Sequence, residues 1–560
     1  MDFTFLREPL LSIKKNSDFS LRGEEIVQSG KVRLGPFPQV DYVIEWNQNP
    51  LENRTWQWRW GSLSVLTYLI AYHAQTQDSR AISMGFDLIE HWMQQFISTQ
   101  PGDVGISEFV WHDHGTALRA EHVLLFLAHL ANTPSEESEK YLPRANVIQV
   151  EMLRKHATTL AKEDFYSSHT NHGLEQARIL LLLASVFDKE WQDAPSLQAT
   201  ATARLESELD FAFTSEGVHV ENSPAYHIFV FKTFISIIQT FSQAGQAKLA
   251  NAFLPKARKI LDYITHILRP DGKVPILGDT EKLRPTDAFD EILGKSREYQ
   301  EFRYSLTGGK SGMLPRSRFK VYPMSGYVIY RDSWDNRRAL HAVFKAGALS
   351  SYHRQEDEGN LVVYAFGEDW LIDSGMYNYN QNDPIRKYVR SRYAHNIVVV
   401  DGTLYKKDWQ ELKNSWTLLD ERLTGSNNQT TFTFHGLVGV STERTTQFEP
   451  KRITVKDTIV STDGEARVAR TLWHVDDRKT VEVIDSNRVL VRSRKTSGSM
   501  MISSQGATVE NIVIRRGISG ARVHSITSDN ANRYEPSTLI EFVCTPSIKH
   551  QLKTEITFSQ

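Results

Sequence analysis

The amino-acid sequence predicts an α+β multidomain protein: an N-terminal (α/α) toroid of helical hairpins, followed by a C-terminal antiparallel β-sandwich. Three observations support this fold class. Apolar residues recur at helical spacing between residues 58 and 268, and they alternate with a period of two from residue 319 onward. The chain is also 560 residues long, which is more than one hydrophobic core accommodates.

Residues 1–54 are expected to form an irregular segment with a small β-hairpin, because they are aromatic, proline-containing and short in period. Residues 55–315 are assigned to the toroid. Successive apolar-periodic segments joined by short polar links, without a regular repeat motif, favour a toroid over a solenoid. The predicted helices cover residues 58–75, 80–97, 116–131, 147–161, 174–187, 197–213, 228–245 and 247–268.

Residues 316–560 are assigned to the β-sandwich. A stretch rich in glycine, serine and basic residues, 306–317, marks the boundary with the toroid. Beyond it, short alternating runs are separated by turn residues such as those at 461–464 and 496–498. Many short strands at regular spacing predict two large antiparallel sheets.

Composition and charge narrow the class of partner. The formal net charge is −2, so the chain lacks the overall positive charge that would attract nucleic acid or a strongly sulfated polymer. Any affinity for anions must therefore be local. No apolar run approaches the ~18 residues of a membrane-spanning helix, and neither nucleic acid nor membrane insertion is expected.

The single cysteine, Cys544, excludes an internal disulfide and a cysteine-based zinc site. The first residues do not resemble a signal peptide, since Arg7, Glu8 and Pro9 interrupt the apolar stretch. The expectation is either a cytoplasmic chain or one from which a leader was removed, and the sequence leaves both open.

Two polar clusters precede or begin apolar helices of the toroid. The first comprises residues 111–114 with Arg119, and the second comprises residues 168–173. Each has an ordinary interpretation as well, because Asp113 and Asn171 are residue types that cap helices. Polar groups at the loop ends of a helical toroid would alternatively line a binding cleft.

A third cluster, residues 221–227, also leads into an apolar helix, and Pro224 is ordinary at a helix start. Tyr226 and His227 are less ordinary there. Together a phenol and an imidazole supply both an acid and a base for proton transfer.

The segment 350–402 carries the densest chemistry of the sandwich. His353, Gln355, Asp373 and His395 are predicted at strand ends, where side chains converge, and they suit one metal ion plus one proton-transfer group. A sandwich edge with ordinary polar residues is the alternative. The basic residues between them suit an anionic ligand; these are Arg386, Lys387, Arg390 and Arg392.

Several short motifs occur in one order along the chain. They are Asn171-His172-Gly173, Ser223-Pro224-Ala225-Tyr226-His227, Pro270-Asp271-Gly272, Gly278-Asp279, His353-Arg354-Gln355-Glu356-Asp357, Asp373-Ser374-Gly375, His395-Asn396 and Val400-Asp401-Gly402. The ordered set resembles the heparinase II/III-type polysaccharide lyases, a superfamily that includes alginate lyases. The resemblance implies an (α/α) toroid followed by a β-sandwich, in agreement with the periodicities.

The resemblance also implies cleavage of a uronic-acid-containing polysaccharide by β-elimination. Asn171 would bind the uronate carboxylate, Tyr226 would be the catalytic phenol, and His353 would be the partner base. Because a free tyrosine has a pKa of ~10, Tyr226 is expected to need a nearby cation or imidazole, such as His227 or the arginine cluster. The residues expected to contact substrate are His114, Arg119, His172, His227 and Arg390.

The metal site implied by the resemblance consists of Gln355, Asp373 and His395. It would hold one structural divalent ion that keeps the His353 loop in place. A glutamine amide binds zinc weakly, so zinc, calcium and no metal all stay open. No organic cofactor is expected.

Other functions fit parts of the same pattern. A uronate C5-epimerase shares the proton abstraction, and a non-catalytic polysaccharide-binding or assembly protein would keep the aromatic and basic residues. Glycoside hydrolysis needs two carboxylic acids in the cleft, whereas Asp113, Glu221 and Asp279 look isolated. The expected partner is an anionic polysaccharide or oligosaccharide, and the chain is expected to be a monomer or homodimer. The resemblance implies a periplasmic or cell-envelope protein, while the start of the chain also fits the cytoplasm.

Overall fold

The computed structural model describes residues 2–133, 135–243, 247–286, 289–421 and 428–560. Contacts divide the chain into two compact units. The first comprises Met1–Phe211 with Thr240–Leu249, and the second comprises Ala212–Gln239 with Ala250–Gln560. The domain limits predicted at residues 54 and 315 stay predictions.

Helices dominate the chain up to residue 307, and those between residues 54 and 268 agree with the predicted helical part. Within the described residues they are Arg7–Lys14, Ser17–Ser29, Arg54–Gly61, Val65–Thr76, Arg80–Phe96, Asp113–Ala131, Ser135–Val147, Arg154–Ala161, Asn171–Val186, Ala194–Ala212, Pro224–Gln243, Ala247–Ile267, Asp290–Leu293 and Arg297–Thr307. A π-helical turn, Ile148–Leu153, joins two of them, and a 3-10 turn, Phe3–Leu6, precedes the first.

The N-terminal segment is helical where irregular structure was expected. The helix Ser17–Ser29 begins where Asn16 Oδ1 accepts the Phe19 N–H at 3.0 Å, and it ends at Gly30 in the left-handed conformation. It packs closely on the helix Val65–Thr76, since a Cβ on Gly23 would lie 2.4 Å from the Tyr68 carbonyl oxygen. Close tertiary packing therefore stabilises a helix whose own apolar pattern is weak. The expected small hairpin follows, with Lys31–Val32 paired to Val40–Asp41.

Most predicted helices are confirmed to within a few residues. The predicted segment 58–75 is two helices, because the chain turns after Gly61 and Leu63 adopts a φ of +58°. The helix Ser135–Val147 was not predicted. The end of the predicted segment 228–245 lies outside the described residues.

The C-terminal part contains two large antiparallel sheets, as predicted. The 8-stranded sheet has the order Lys479–Asp485, Arg488–Ser493, Ser499–Gln505, Lys549–Ser559, Arg452–Ser461, Val440–Glu449, Gln429–Leu437, Trp416–Asp420. The 11-stranded sheet has the order Arg533–Pro536, Arg522–Asn530, Val509–Ser519, Thr538–Cys544, Ala469–Val475, Glu368–Leu371, Asn360–Ala365, His341–Lys345, Tyr327–Arg331, Phe319–Tyr322, with Val398–Val400 also paired to Ala469–Val475.

The two sheets share one apolar core, which makes the structure a β-sandwich. Phe344 of the larger sheet and Phe432 of the smaller sheet are both buried, with ring centroids 5.8 Å apart. Trp473 and Phe448 belong to the same core. Inward residues of both sheets therefore bury against each other, as the period-two pattern requires. The predicted fold class is confirmed.

Candidate active site

The rings of Tyr226 and His353 stack on each other in the second compact unit. Their centroids are 3.8 Å apart and their planes differ by 25°. Tyr226 lies in the first turn of the helix Pro224–Gln243, and His353 lies in the loop between His341–Lys345 and Asn360–Ala365. The structure thus brings together two predicted catalytic residues that are 127 positions apart in the sequence (353 − 226).

Asn222 ties the loop of the imidazole to the start of the helix that carries Tyr226. It is buried, and its Nδ2 donates to the carbonyl oxygens of Ser350 at 3.0 Å and Tyr352 at 2.9 Å. Its Oδ1 accepts the Leu349 N–H at 2.9 Å. These bonds hold the loop, in which His353 adopts a φ of +51° that non-glycine residues rarely take.

Asp279 lies behind the imidazole at the centre of a buried network. Its Oδ2 is 3.3 Å from His353 Nδ1, and Arg386 donates to both carboxylate oxygens at 2.7 and 2.8 Å. Gln355 Nε2 donates to Oδ1 at 2.8 Å. Burial alone would raise the pKa of Asp279, but the hydrogen bonds from His353 and Arg386 hold it below its usual range. An ionised carboxylate only accepts, so His353 Nδ1 carries a proton, and in the neutral imidazole the lone pair lies on Nε2.

Glu221 lies on the other side of the imidazole. Its Oε2 is 3.6 Å from His353 Nε2, and its side chain is mostly buried. Burial raises the pKa of Glu221 above its usual value, while His353 opposes that shift. The expectation that Glu221 and Asp279 are isolated carboxylates is therefore wrong, because both face His353.

Tyr379 contacts the phenol of Tyr226. The two hydroxyl oxygens are 2.8 Å apart. Burial and the neighbouring carboxyl groups raise the pKa of Tyr226 above its usual value, and the hydrogen bond with Tyr379 only partly offsets this. The predicted lowering by His227 or the arginine cluster is therefore wrong.

His227 belongs to the apolar core instead of a subsite. It is buried, its Nδ1 accepts the His219 N–H at 3.1 Å, and its Nε2 lies 3.3 Å from the Ile260 carbonyl oxygen. Its ring packs on Tyr263. Successive residues of a helix point about 100° apart, and here that rotation directs His227 into the core while Tyr226 is partly exposed.

Arg390 is half-buried, and its predicted substrate contact stays a prediction. Its Nη1 donates to Gln381 Oε1 at 2.6 Å and its Nε donates to the Arg354 carbonyl oxygen at 3.3 Å. Within the basic cluster, Arg386 is the member linked to His353, through Asp279.

A second set of predicted residues lies in the first compact unit. Asp113 Oδ2 accepts from His172 Nδ1 at 3.0 Å and from Ser167 Oγ at 2.5 Å. The His172 ring packs on His114, which in turn packs on Trp58, at centroid distances of 4.7 and 5.2 Å. Burial and the neighbouring His172 lower the pKa of His114 to about 4. His114 is therefore a neutral imidazole at neutral pH, and the rings form a partly exposed aromatic stack.

Asn171 is exposed and is the first residue of the helix Asn171–Val186. The alternative interpretation of Asn171 as the helix cap is wrong, because Thr170 Oγ1 accepts the Gly173 N–H at 3.1 Å in that role. The predicted contact of Asn171 with a uronate carboxylate stays a prediction.

Arg119 is a core residue, and its predicted contact with substrate does not fit its burial. Its guanidinium donates to His156 Nε2 at 2.9 Å and to the carbonyl oxygens of Gly61 and Val110 at 2.8 and 2.6 Å. It also lies 4.3 Å from the Trp92 ring centroid. The Arg119 side chain has no solvent exposure, and its guanidinium is surrounded by these partners.

The predicted metal residues are adjacent and buried. His395 Nδ1 is 2.9 Å from Asp373 Oδ2. The Gly375 N–H donates to Asp373 Oδ1, and the Gly375 carbonyl oxygen accepts from Gln355 Nε2. Gln355 Oε1 and His395 Nε2 are buried without a hydrogen-bond partner among the described residues. Two such orphaned polar atoms fit an ion, with Asp373 orienting the imidazole from behind. The same part of the chain contains no group of three or more His, Cys, Asp or Glu side chains suited to a metal.

Several residues of the site have weak or no signals in the sequence. Asp279 stood out only as part of a turn motif and Arg386 only as one of four basic residues. Tyr379 had no signal, because it follows no motif and contacts Tyr226 from 153 positions away.

The architecture, with helices first and two antiparallel sheets second, matches two family descriptions in the same order. Residues 28–302 match Heparinase II/III N-terminus, and residues 314–553 match Heparinase II/III-like, C-terminal. The chain therefore belongs to the heparinase II/III family, as the resemblance in its motifs predicts.

Curated relatives are similar over part of their length. A heparin-sulfate lyase of Pedobacter heparinus is 21% identical over 377 residues, which cover 64% of this chain and 54% of that protein. A heparin-sulfate lyase of Bacteroides stercoris is 24% identical over 312 residues, covering 54% of this chain and 45% of that protein. The chain thus spans about half the length of the curated relatives it matches.

Solved structures share the fold. Heparan sulfate lyase from Pedobacter heparinus has a TM-score of 0.75 at 18% identity, over 100% of this chain and 86% of that chain. A heparinase III structure has a TM-score of 0.77 at 16% identity, over 98% and 85%. A chondroitinase AC lyase has a TM-score of 0.54 at 10% identity, over 98% and 82%. In the part of this chain that the structure describes, no helix is long and apolar enough to cross a membrane.

Proposed function

We propose that this chain is a polysaccharide lyase that cleaves a uronic-acid-containing polysaccharide by β-elimination. The stacked Tyr226 and His353 pair is the observation that carries the proposal. Because the relatives are heparin-sulfate lyases, a glycosaminoglycan of that kind is the first substrate class to test.

The chemistry of elimination needs a base for the C5 proton and an acid for the departing C4 oxygen. In the neutral form of His353 the lone pair lies on Nε2, and Asp279 orients the ring through Nδ1. The phenol of Tyr226, stacked on the same imidazole, donates its proton to the C4 oxygen as the C4–O bond breaks. The C5–H electron pair becomes the C4–C5 double bond of an unsaturated uronate.

The uronate carboxylate must also be neutralised, since its charge opposes loss of the C5 proton. Asn171 is the residue that the family resemblance assigns to this task. An ion held by Gln355 and His395 would, when bound, keep the loop of His353 in place without taking part in the elimination.

Glycoside hydrolysis fits this site less well, although Glu221 and Asp279 both face His353. Asp279 is fully buried, ionised and bonded to Arg386 through both oxygens. It therefore has neither a proton to donate nor room for a sugar, whereas hydrolysis requires two working carboxyl groups.

The experiment follows ultraviolet absorbance while the purified chain is incubated with a panel of uronic-acid polysaccharides, sulfated and unsulfated. Only elimination makes the conjugated C4–C5 double bond, so we expect absorbance to grow on at least one polymer. We expect Tyr226→Phe and His353→Ala each to lower kcat by about 10²- to 10⁴-fold. His435→Ala, at an exposed histidine of the smaller sheet, is the matched control.

An active wild type whose rate is unchanged in both site variants would contradict the assignment of the site. No absorbance on any polymer, together with deuterium incorporation at C5 in heavy water, would point to an epimerase instead.

A further inference from the structure

Tyr379 places a second phenol hydroxyl against that of Tyr226, the proposed general acid. Its hydroxyl oxygen is 2.8 Å from that of Tyr226, and its ring meets the His353 ring edge-on at 5.6 Å. Tyr379 is 47% exposed, and the hydrogen bond between the two hydroxyls lies at an exposed position. The three rings form one contiguous group, and Tyr379 is its most exposed member.

The loop that carries Tyr379 is held in place on both sides. Arg386 Nη1 donates to the Met376 carbonyl oxygen at 2.8 Å, and Asn378 Nδ2 donates to Asp383 Oδ2 at 3.0 Å. The Arg386 guanidinium also lies 5.4 Å from the Tyr379 ring centroid. A fixed loop and a cation over the ring keep the Tyr379 hydroxyl aimed at Tyr226.

The direction of the hydrogen bond follows from counting protons. Each phenol carries one proton and accepts through its lone pairs. If Tyr226 donates to the C4 oxygen of the sugar, it has no proton left for Tyr379. The bond between the two phenols must then run from the Tyr379 O–H to the Tyr226 oxygen.

We propose that Tyr379 is a positioning residue that donates to the Tyr226 oxygen and returns a proton to it after each elimination. This inference rests on the proposed lyase function. When the C4–O bond breaks, the proton of Tyr226 moves to the C4 oxygen and Tyr226 is left as a phenolate. The Tyr379 O–H passes its proton to that phenolate and takes another from water, while His353 releases the C5 proton to water.

The charges around Tyr226 explain why such a donor is needed. Besides the stacked imidazole and the Tyr379 phenol, the charges of Glu221, Asp279 and Glu281 act on Tyr226, and all three carboxylates disfavour a phenolate there. Burial acts in the same direction, so the pKa of Tyr226 is raised. The hydrogen bond with Tyr379 is the contact that favours the charged form.

The test compares the wild type with Tyr379→Phe, which keeps the ring and removes only the hydroxyl. We expect kcat to fall about ten- to a hundredfold with KM nearly unchanged, as for one lost hydrogen bond to a charged oxygen. The limb of the kcat–pH profile that reports Tyr226 should move to higher pH. Tyr377→Phe is the matched control on the same loop, because its ring packs on Tyr534, and it should behave as wild type.

Wild-type kcat and an unmoved pH limb in Tyr379→Phe would overturn this inference alone, provided that Tyr226→Phe is inactive. A lower kcat with an unmoved limb would also overturn it, since lost packing lowers rate without shifting the ionisation of Tyr226. Absence of elimination by the wild type on every polymer would instead reject the proposed function, and this inference with it.

Discussion

Asp279 and His353 form a carboxylate–imidazole pair, with Asp279 Oδ2 3.3 Å from His353 Nδ1. The carboxylate has no solvent exposure, while the imidazole is about one-fifth exposed. Arg386 holds the carboxylate from the opposite side through two hydrogen bonds. The pair therefore fixes which nitrogen of His353 faces outward, and it connects the site to a buried ion pair.

We expect Asp279→Asn to damage both activity and stability. The amide presents a donor or a neutral acceptor to His353, so kcat should fall by about a hundredfold or more. Leaving Arg386 buried without its anion should lower the free energy of unfolding by about 3–5 kcal/mol. Steady-state kinetics and urea unfolding measure the two effects.

Asp463→Asn is the control for that prediction. Asp463 pairs with Arg467 in the same bidentate manner, but it is exposed, so its loss should leave the free energy of unfolding nearly unchanged. Equal effects of the two substitutions on activity would refute the role assigned to Asp279.

The raised pKa of Glu221 predicts that the stability of the folded protein depends on pH. Its folded-state pKa is raised by burial, so the folded protein favours the protonated acid. The stability contributed by this group is complete below the unfolded pKa of ~4.3 and is lost as pH rises through the folded pKa. Glu221→Gln removes that loss, and we expect it to raise the melting temperature near pH ~8 while leaving it unchanged near pH ~4. Thermal unfolding of the wild type and of Glu221→Gln at both pH values tests this prediction. A melting temperature of the variant below that of the wild type at the higher pH would contradict it.

Arg119 should matter for stability and not for substrate affinity. Arg119→Ala leaves the His156 nitrogen and the carbonyl oxygens of Gly61 and Val110 without their donor, which should cost about 3 kcal/mol or more. Arg54→Ala removes an exposed ion pair with Glu108 and should cost about 1 kcal/mol or less.

Chemical denaturation measures the difference in stability between Arg119→Ala and Arg54→Ala. The KM for the cleaved polymer tests whether Arg119 also contributes to substrate affinity. A large rise in KM for a folded Arg119→Ala protein would restore Arg119 to the list of substrate contacts.

The metal prediction is tested by ion content. If Gln355 Oε1 and His395 Nε2 bind an ion, the purified protein should contain about one zinc or calcium per chain, and a chelator should lower its melting temperature. His395→Ala should abolish binding, whereas His435→Ala should not. Unchanged melting temperature and activity after chelation would mean that no structural ion is present.

The part of the site that could be predicted consists of residues that lie in short sequence motifs. Tyr226 and His353 lie in short motifs, so each could be recognised from its neighbours in the chain. Asp279 and Tyr379 act on residues 74 and 153 positions away, and no spacing in the sequence encodes such contacts. His227 was misassigned because it adjoins Tyr226 in sequence, although a helix turns adjacent side chains to different faces.

By itself, the sequence determined the helical first part, the antiparallel sandwich and the family, since periods of 3.6 and 2 residues and short motifs are properties of neighbouring residues. Only the tertiary structure decided which polar residues meet. It buried Arg119 and His227, placed Asp279 behind His353 and brought Tyr379 to Tyr226, because burial and hydrogen bonding between distant segments depend on packing in three dimensions.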